Sequence, residues 1–201
     1  MIQAAEPKLI LASGSTTRQA LLTAAGLSFT VQTPRVDEQA IKRSARQDGA
    51  GAGDAALLLA ETKARRVRVP DAVVIGADQI LVHGGRWFDK PADMSEARSH
   101  LQSLRGGTHE LATAVACLRD GVPIWHHVAR PVLTMRAFSD DFLDAYLAAE
   151  SEACLASVGA YRLEGLGVHL FDRIEGEHAA ILGLPLLPLL GFLRQHGALL
   201  G

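Results

Sequence analysis

The sequence predicts an α/β protein with a twisted, mixed β-sheet and flanking helices. The chain has 201 residues, of which 48% are hydrophobic and 21% charged, so it can bury one sizeable core. It opens with a short apolar run, a turn of small residues and a helical pattern, which is the order of a βα unit. Later, two long strand patterns flank Asp120-Gly121, as in an antiparallel hairpin. Parallel and antiparallel pairs in one chain indicate a mixed sheet rather than a regular doubly wound one.

The elements of the N-terminal half follow from apolar periodicity and from residues that end helices. The run at 72–82 is nearly all apolar, as expected for a central strand covered on both faces. In order, we predict a strand at 9–12, a helix at 18–25 ended by Gly26, a strand at 29–32, a loop at 34–38, a mobile stretch at 44–54, a helix at 54–67 and the central strand.

The C-terminal half combines the hairpin with three further helices. Serine residues stand where two of these helices should begin, and serine is a good N-cap. In order, we predict a turn at 83–86, a helix capped by Ser95 and ending near Leu104, strands at 108–118 and 123–136, a helix capped by Ser139 and ending near Glu150, two short strands within 161–174 around Gly165-Leu166-Gly167, and a helix at 185–196.

Charge, cysteine count and hydropathy exclude several classes of protein. The net charge is −2, from 20 basic and 22 acidic residues, so no basic surplus supports a nucleic acid polymer as partner. Two cysteines are too few for a disulfide scaffold. The first residues lack the pattern of a signal peptide, and the longest apolar run, 181–193, is interrupted by Pro and Gly. We therefore expect a cytoplasmic protein with no membrane association.

The turn after the first strand is a candidate anion site. Backbone N–H groups at a helix N-terminus are unpaired, and the helix dipole favours an anion there. Ser13 and Ser15 add hydroxyl groups to this turn, and Arg18 adds a guanidinium. An ordinary N-cap turn remains the alternative, and the Gly-Lys-Ser/Thr element of a Walker loop is missing. Any phosphate affinity of this chain must lie in such a local site.

Two acids and two lysines complete the candidate chemistry. Asp78 lies inside the apolar run 73–82, where a carboxylate needs a partner such as a metal or a lysine; an exposed strand end is the alternative. Glu38 is predicted on a loop, where solvation is the simpler interpretation. Lys63 and Lys90 are each compatible with a surface position. Together with the anion-ready turn, however, these residues suggest a site for a polyphosphate bound to a hard cation such as Mg²⁺.

The chain resembles the Maf family, which includes nucleoside triphosphate pyrophosphatases of the house-cleaning type. Single motifs are weak, but the ordered set is specific and spans residues 9 to about 195. The matching segments are Leu11-Ala12-Ser13-Gly14-Ser15 with Arg18 and Leu21-Leu22, Val36-Asp37-Glu38, 60–64 around Lys63, Ile75-Gly76-Ala77-Asp78-Gln79, Lys90-Pro91, Gly107-Thr108-His109-Glu110, Gly159-Ala160-Tyr161 with Glu164-Gly165-Leu166-Gly167, and Gly183-Leu184-Pro185-Leu186.

The resemblance implies a fold, a reaction and a cofactor. Residues 1–201 would form one Maf-like domain, similar to inosine triphosphate pyrophosphatase, with a cleft between two lobes. The reaction would be hydrolysis of a nucleoside triphosphate to the monophosphate and pyrophosphate, with Mg²⁺ or Mn²⁺. Members of the family often form homodimers, so a homodimer is a candidate state of this chain.

The resemblance also implies a role for each matching residue. Ser13, Ser15 and Arg18 would hold phosphate. Glu38 and Asp78 would serve the metal and the attacking water, with Asp78 as the favoured base. Lys63 and Lys90 would stabilise the charged transition state. The implied site is therefore formed by Ser13, Ser15, Arg18, Glu38, Lys63, Asp78, Gln79, Lys90 and Glu164.

Three positions bear on the choice of base. Gln79 and Glu164 resemble the branch that acts on 7-methyl-GTP, and a carboxylate at 164 can accept two hydrogen bonds from guanine. Thr17 stands where that branch usually has Trp, so stacking on a methylated purine would be lost. A dTTP or UTP pyrophosphatase, a non-catalytic nucleotide-binding regulator of cell division, and a phosphomonoesterase remain as alternatives.

Overall fold

The computed structural model describes residues 2–201, and within this range it has eight β-strands and seven α-helices. The strands are β1 (Leu9–Leu11), β2 (Thr30–Val31), β3 (Val73–His83), β4 (Arg86–Phe88), β5 (Thr108–Arg119), β6 (Val122–Ala129), β7 (Val132–Met135) and β8 (Phe171–Glu175). The helices are α1 (Thr16–Ala24), α2 (Glu38–Gln47), α3 (Ala52–Arg65), α4 (Met94–Leu104), α5 (Asp140–Glu150), α6 (His178–Ile181) and α7 (Leu186–Gln195). Three short 3₁₀ segments lie between α5 and β8, at Ser151–Ala156, Val158–Ala160 and Leu166–Leu170.

All strands belong to one mixed sheet, as the sequence predicts. Its main order is β2-β1-β3-β5-β7-β8, with β4 paired to β3 and β6 paired to β5. Strand β1 runs parallel to both β2 and β3. The remaining pairs are antiparallel, including the long ladder between β3 and β5. The βα opening and the central hairpin therefore coexist in one sheet, which confirms the mixed α/β architecture.

Strand β3 is central and places functional side chains on both faces of the sheet. Val74 and Ile80 pack in one apolar cluster with α3, whereas Val73 and Ile75 pack in another with α7. Side chains alternate between the faces of a strand. The face toward α3 therefore receives Asp78, and the opposite face receives Gln79.

Helix α3 approaches β3 unusually closely because the contact lacks large side chains. A Cβ atom at Gly76 would lie 2.0 Å from the Ala60 carbonyl oxygen and 3.1 Å from the Ala64 Cβ. Ala56, Ala60 and Ala64 recur at helical spacing and are buried against the sheet. This contact brings Lys63, three residues after Ala60, next to the C-terminal half of β3.

The predicted loop at 34–38 is confirmed for residues 34–37 and is wrong only at Glu38, where helix α2 begins, whereas α2 and α3 cover both ends of the predicted mobile stretch at 44–54. Helix α2 starts directly at Glu38 because the Asp37 carboxylate accepts a hydrogen bond from the Ala40 N–H at 2.9 Å. Only Ala45 of this helix is fully buried. The sequence therefore lacks the apolar periodicity from which the other helices are predicted. Glu38 therefore lies at a helix N-terminus, not on a loop.

Several boundaries in the C-terminal half also differ from the predictions. Helix α4 is capped by Asp93 instead of Ser95, since the Asp93 carboxylate accepts from the Glu96 N–H at 2.8 Å. The predicted strand 123–136 is split at Pro131, which has no N–H for a ladder. Within 161–174 only β8 is a strand, and strand β4 and helix α6 are additional elements. Among residues 2–201, no helix has the length and apolar character needed to cross a membrane.

Candidate active site

A cavity of about 460 Å³ lies where α1, α2, α3, β3 and the segment 156–164 meet. Eight of the nine predicted site residues line it, namely Ser15, Arg18, Glu38, Lys63, Asp78, Gln79, Lys90 and Glu164. The structure thus brings together side chains that are scattered over about 150 positions of the sequence. Ser13 does not line the cavity and lies behind it, with only 4% of its surface exposed.

The turn between β1 and α1 positions the side chain of Arg18 in the wall of the cavity. Ser15 is the N-cap of α1, and its hydroxyl accepts a hydrogen bond from the Arg18 N–H at 3.4 Å. The guanidinium donates to the Gly183 carbonyl at 2.7 Å and to the Ser13 hydroxyl at 3.2 Å. Gly183 has a φ of +101°, a conformation that favours glycine. Ser13 therefore orients Arg18, and its predicted contact with phosphate stays a prediction.

Burial lowers the pKa of the Arg18 guanidinium, while the charges of Asp78 and Glu38 oppose this effect. Arginine has such a high ordinary pKa that the group keeps its charge in proteins. The first residues of α1 also present backbone N–H groups and the positive end of the helix dipole. Arg18 and this helix end together form a place suited to phosphate.

Lys63 is shared between two carboxylates from different elements. Its Nζ atom lies 2.5 Å from Asp78 Oδ1 on β3 and 2.7 Å from Glu38 Oε1 at the start of α2. The side chains of Lys63 and Asp78 are 11% and 6% exposed, whereas that of Glu38 is 44% exposed. Burial raises the pKa of Glu38, but Lys63 and the nearby charges of Lys42 and Lys90 outweigh it, so the pKa is lowered overall.

Glu38 and Asp78 have donor chemistry that fits a hard divalent cation. Asp78 Oδ2 is buried and has no hydrogen-bond partner among the described residues, so its lone pairs are unused in the protein. Mg²⁺ binds through one or two carboxylates, together with waters and phosphate oxygens. Residues 2–201 contain no cluster of three or more His, Cys, Asp or Glu side chains suited to a metal. A cation would therefore rely on a bound polyphosphate for further ligands.

The edge of the cavity carries two more lysines, of which sequence reasoning missed one. Burial and the charge of Arg18 lower the pKa of Lys90, and Glu38 partly opposes them. Lys42 lines the same cavity and donates to Asp89 Oδ1 at 2.6 Å. Lys42 lies four residues after Glu38, hence on the same face of α2. The Asp37 cap was the signal that would have revealed this helix and, with it, Lys42.

Gln79 lines the cavity from the opposite face of β3, but its amide nitrogen already has partners. It donates to the Thr113 hydroxyl at 2.8 Å and to the carbonyls of Ala180 and Ile181 at 3.0 Å each. These bonds tie the central strand to α6. Only the amide oxygen remains for a ligand.

The remaining wall of the cavity is mostly apolar. Leu111, Val158, Tyr161, Leu163 and Ile181 line it, and each is buried in the protein core. Glu164 adds an exposed carboxylate to this wall, and Thr17 lines the cavity as well. The cavity thus combines a cationic part suited to phosphates with an apolar part suited to a planar base.

Comparison with known proteins agrees with this chemistry. A family model described as Maf-like protein matches residues 8–196. A nucleoside triphosphate pyrophosphatase from Granulibacter bethesdensis is 55% identical over 96% of this chain and 98% of its own length. Another from Rhodospirillum rubrum is 54% identical, over 96% and 97% of the two chains. A 7-methyl-GTP pyrophosphatase from Rhizobium johnstonii is 49% identical, over 97% and 99%.

The matched range contains the whole cavity lining, from Ser15 to Gly183. The family resemblance that the motifs suggested is confirmed, and the predicted enzyme class agrees with the names of these relatives. The mixed sheet of this chain is the architecture expected from that resemblance. This chain belongs to the family of Maf-like proteins.

Proposed function

We propose that this protein is a hydrolase that converts a nucleoside triphosphate to its monophosphate and pyrophosphate. The observation that carries the proposal is the cavity in which Arg18, Lys63 and Lys90 surround the buried carboxylate of Asp78. Cationic side chains stabilise the charge that develops on phosphate oxygens during phosphoryl transfer. The names of the similar proteins support the same reaction.

The reaction forms a bond between a water oxygen and the α-phosphorus and breaks the bond to the bridging oxygen, so that pyrophosphate leaves. Asp78 would accept the proton of the attacking water, since its Oδ2 has no partner in the protein. Arg18 and the N-terminus of α1 would hold phosphate oxygens, and Lys63 and Lys90 would balance their charge. A divalent cation held by Glu38 and Asp78 would supply further charge neutralisation on those oxygens.

For the base, we propose a guanine-type purine of the 7-methyl-GTP kind. Glu164 can accept hydrogen bonds from the N1–H and the exocyclic amine of guanine in a bidentate pair. Similar proteins from three Rhizobium species are named 7-methyl-GTP pyrophosphatases. Because Thr17 offers no aromatic face, recognition would depend on Glu164 and on the apolar wall rather than on stacking.

The test is a product assay with Mg²⁺ or Mn²⁺ over 7-methyl-GTP, GTP, dTTP, UTP and CTP. Pyrophosphate and orthophosphate are measured separately. We expect Asp78→Asn and Lys90→Ala to lower kcat/KM by about 100-fold or more. The matched controls Asp172→Asn and Lys8→Ala change exposed residues outside the cavity and should keep full activity.

Each outcome distinguishes one alternative. Pyrophosphate released mainly from 7-methyl-GTP supports the whole proposal. Pyrophosphate released mainly from dTTP or UTP supports the reaction and overturns the choice of base. Orthophosphate as the first product overturns the proposed reaction, because it shows cleavage at the γ-phosphate instead of at the α-phosphate. Tight nucleotide binding without turnover indicates a regulator.

A further inference from the structure

The side-chain carboxylate of Glu150 lies in an environment that disfavours a negative charge. It is the last residue of α5, and its side chain is only 2% exposed. The C-terminus of a helix carries partial negative charge, and burial of an ion costs several kcal/mol unless hydrogen bonds compensate. Glu150 uses both oxygens, because Oε2 accepts from Arg162 Nε at 2.8 Å and Oε1 accepts from the Leu166 N–H at 2.9 Å.

The two donors flank Glu164 on either side. The turn between them is closed by a hydrogen bond from the Gly165 N–H to the Arg162 carbonyl at 3.1 Å. A Cβ atom at Gly165 would lie 2.9 Å from Glu150 Oε1, so the absence of a side chain lets the turn approach the carboxylate. Glu150 therefore holds the turn 162–166 at both ends while Glu164 faces the cavity.

Helix α5 also holds the residues that precede this turn. The Tyr146 hydroxyl, one helical turn before Glu150, donates to the Ala160 carbonyl at 3.2 Å. Tyr161 and Leu163 line the cavity, whereas no residue of α5 does so. The helix thus supports the apolar wall from behind.

We propose that Glu150 is a positioning residue for base recognition, which fixes the turn 162–166 so that Glu164 meets the hydrogen-bond donors of the base in one geometry. This inference rests on the proposed function. A carboxylate on a loose turn would accept a hydrogen bond from many bases, because it could move to each donor. A fixed carboxylate discriminates between bases by the placement of their N–H groups.

Glu150→Gln is the main test because it keeps the size of the side chain. The amide can accept only one of the two hydrogen bonds, and its NH₂ group then faces the other donor. Glu152→Gln is the matched control, since Glu152 is exposed in the same segment. Leu166→Pro is the second variant and removes the N–H donor together with the leucine side chain. Leu166 is 43% exposed and is the first residue of a 3₁₀ segment, where the missing N–H of proline is tolerated.

The readouts separate positioning from general damage. We measure kcat/KM for each nucleotide of the panel, inhibition by inorganic pyrophosphate, and the melting temperature. For Glu150→Gln and Leu166→Pro we expect the ratio of kcat/KM between the best and the poorest nucleotide to fall about 10-fold, which corresponds to about 1.4 kcal/mol. Inhibition by pyrophosphate should stay within about two-fold of the native value, because phosphate binding does not involve the turn.

Equal losses for all nucleotides, with weakened inhibition by pyrophosphate, would overturn the inference in favour of a purely structural role. Unchanged selectivity in both folded variants would overturn it as well. If the native protein released no pyrophosphate, the proposed function would fail. The inference would then be decided by calorimetric binding of 7-methyl-GMP and UMP to the native protein and the two variants. A reduced ratio of the two affinities supports it, and an unchanged ratio overturns it.

Discussion

Lys63→Met removes the ammonium group that two carboxylates share, while it keeps an unbranched side chain. In the native protein Lys63 Nζ lies 2.5 Å from Asp78 Oδ1, and the two side chains are 11% and 6% exposed. Removal of one partner from a buried pair costs about 3–5 kcal/mol, and the nearby charges of Arg18 and Lys90 should keep the loss at the lower end of this range. We therefore expect the free energy of unfolding at about pH 8 to fall by about 3 kcal/mol.

The loss should come from the carboxylate charge that stays behind without its partner. The double variant Lys63→Met/Asp78→Asn lacks this charge at position 78, so it should recover most of the lost stability.

Urea unfolding at about pH 8, followed by the fluorescence of Trp87 and Trp125, measures these differences. Lys42→Met is the matched control, because Lys42 pairs with Asp89, whose side chain is 43% exposed. It should cost about 0–1 kcal/mol. The reasoning is refuted if Lys63→Met costs no more than Lys42→Met, or if the double variant is no more stable than the single one.

Three further predictions concern packing, acid stability and the metal. Gly76→Ala places a Cβ atom 2.0 Å from the Ala60 carbonyl oxygen, so chemical denaturation should show that the free energy of unfolding falls by about 1–3 kcal/mol, and the product assay should show lower activity. The control Gly191→Ala adds a Cβ atom in open space on α7 and should lower neither quantity. Burial lowers the pKa of His109 to about 4, so stability should decrease by up to about 3 kcal/mol as pH falls from 6.5 to 4, and melting curves of His109→Gln should lack this decrease. Chelation with EDTA should abolish turnover but leave the melting temperature unchanged, because Lys63 already pairs with the carboxylates of Glu38 and Asp78. A large drop in the melting temperature would contradict this prediction.

The amount of local structure that can be predicted depends on how apolar each segment is. Strand β3 is evident because apolar residues cover both of its faces. Helix α2 is not, because only Ala45 is fully buried and the rest of the helix is polar. The split between β6 and β7 could have been inferred from Pro131, since proline is rare inside a paired strand. The caps at Asp37 and Asp93 are hard to predict, because each depends on a single hydrogen bond. Ser95 is a plausible alternative cap for α4, and Asp37 fits equally well within a loop.

For the site, the chemical types can be predicted but the distances cannot. Asp78 needs a partner wherever it is buried, and the sequence offers Lys63 and Lys90 equally. The choice of Lys63 follows from the close packing of α3 at Gly76, which no local pattern encodes. Glu150 shows the same limit, because a glutamate at the end of a helix looks like a solvated residue until Arg162 is placed beside it.

The hydrogen bond from Arg18 to the Gly183 carbonyl joins positions 165 residues apart. During synthesis, the first βα unit emerges from the ribosome long before Gly183 is made, so the Arg18 guanidinium cannot form this hydrogen bond until late in synthesis. Pairing over such a sequence separation also forms slowly, because the intervening chain must be ordered first. A nascent chain can therefore fold α1 against the sheet while it still lacks a finished cavity. The part of the cavity wall that contains Gly183 is thus completed only when synthesis is nearly over.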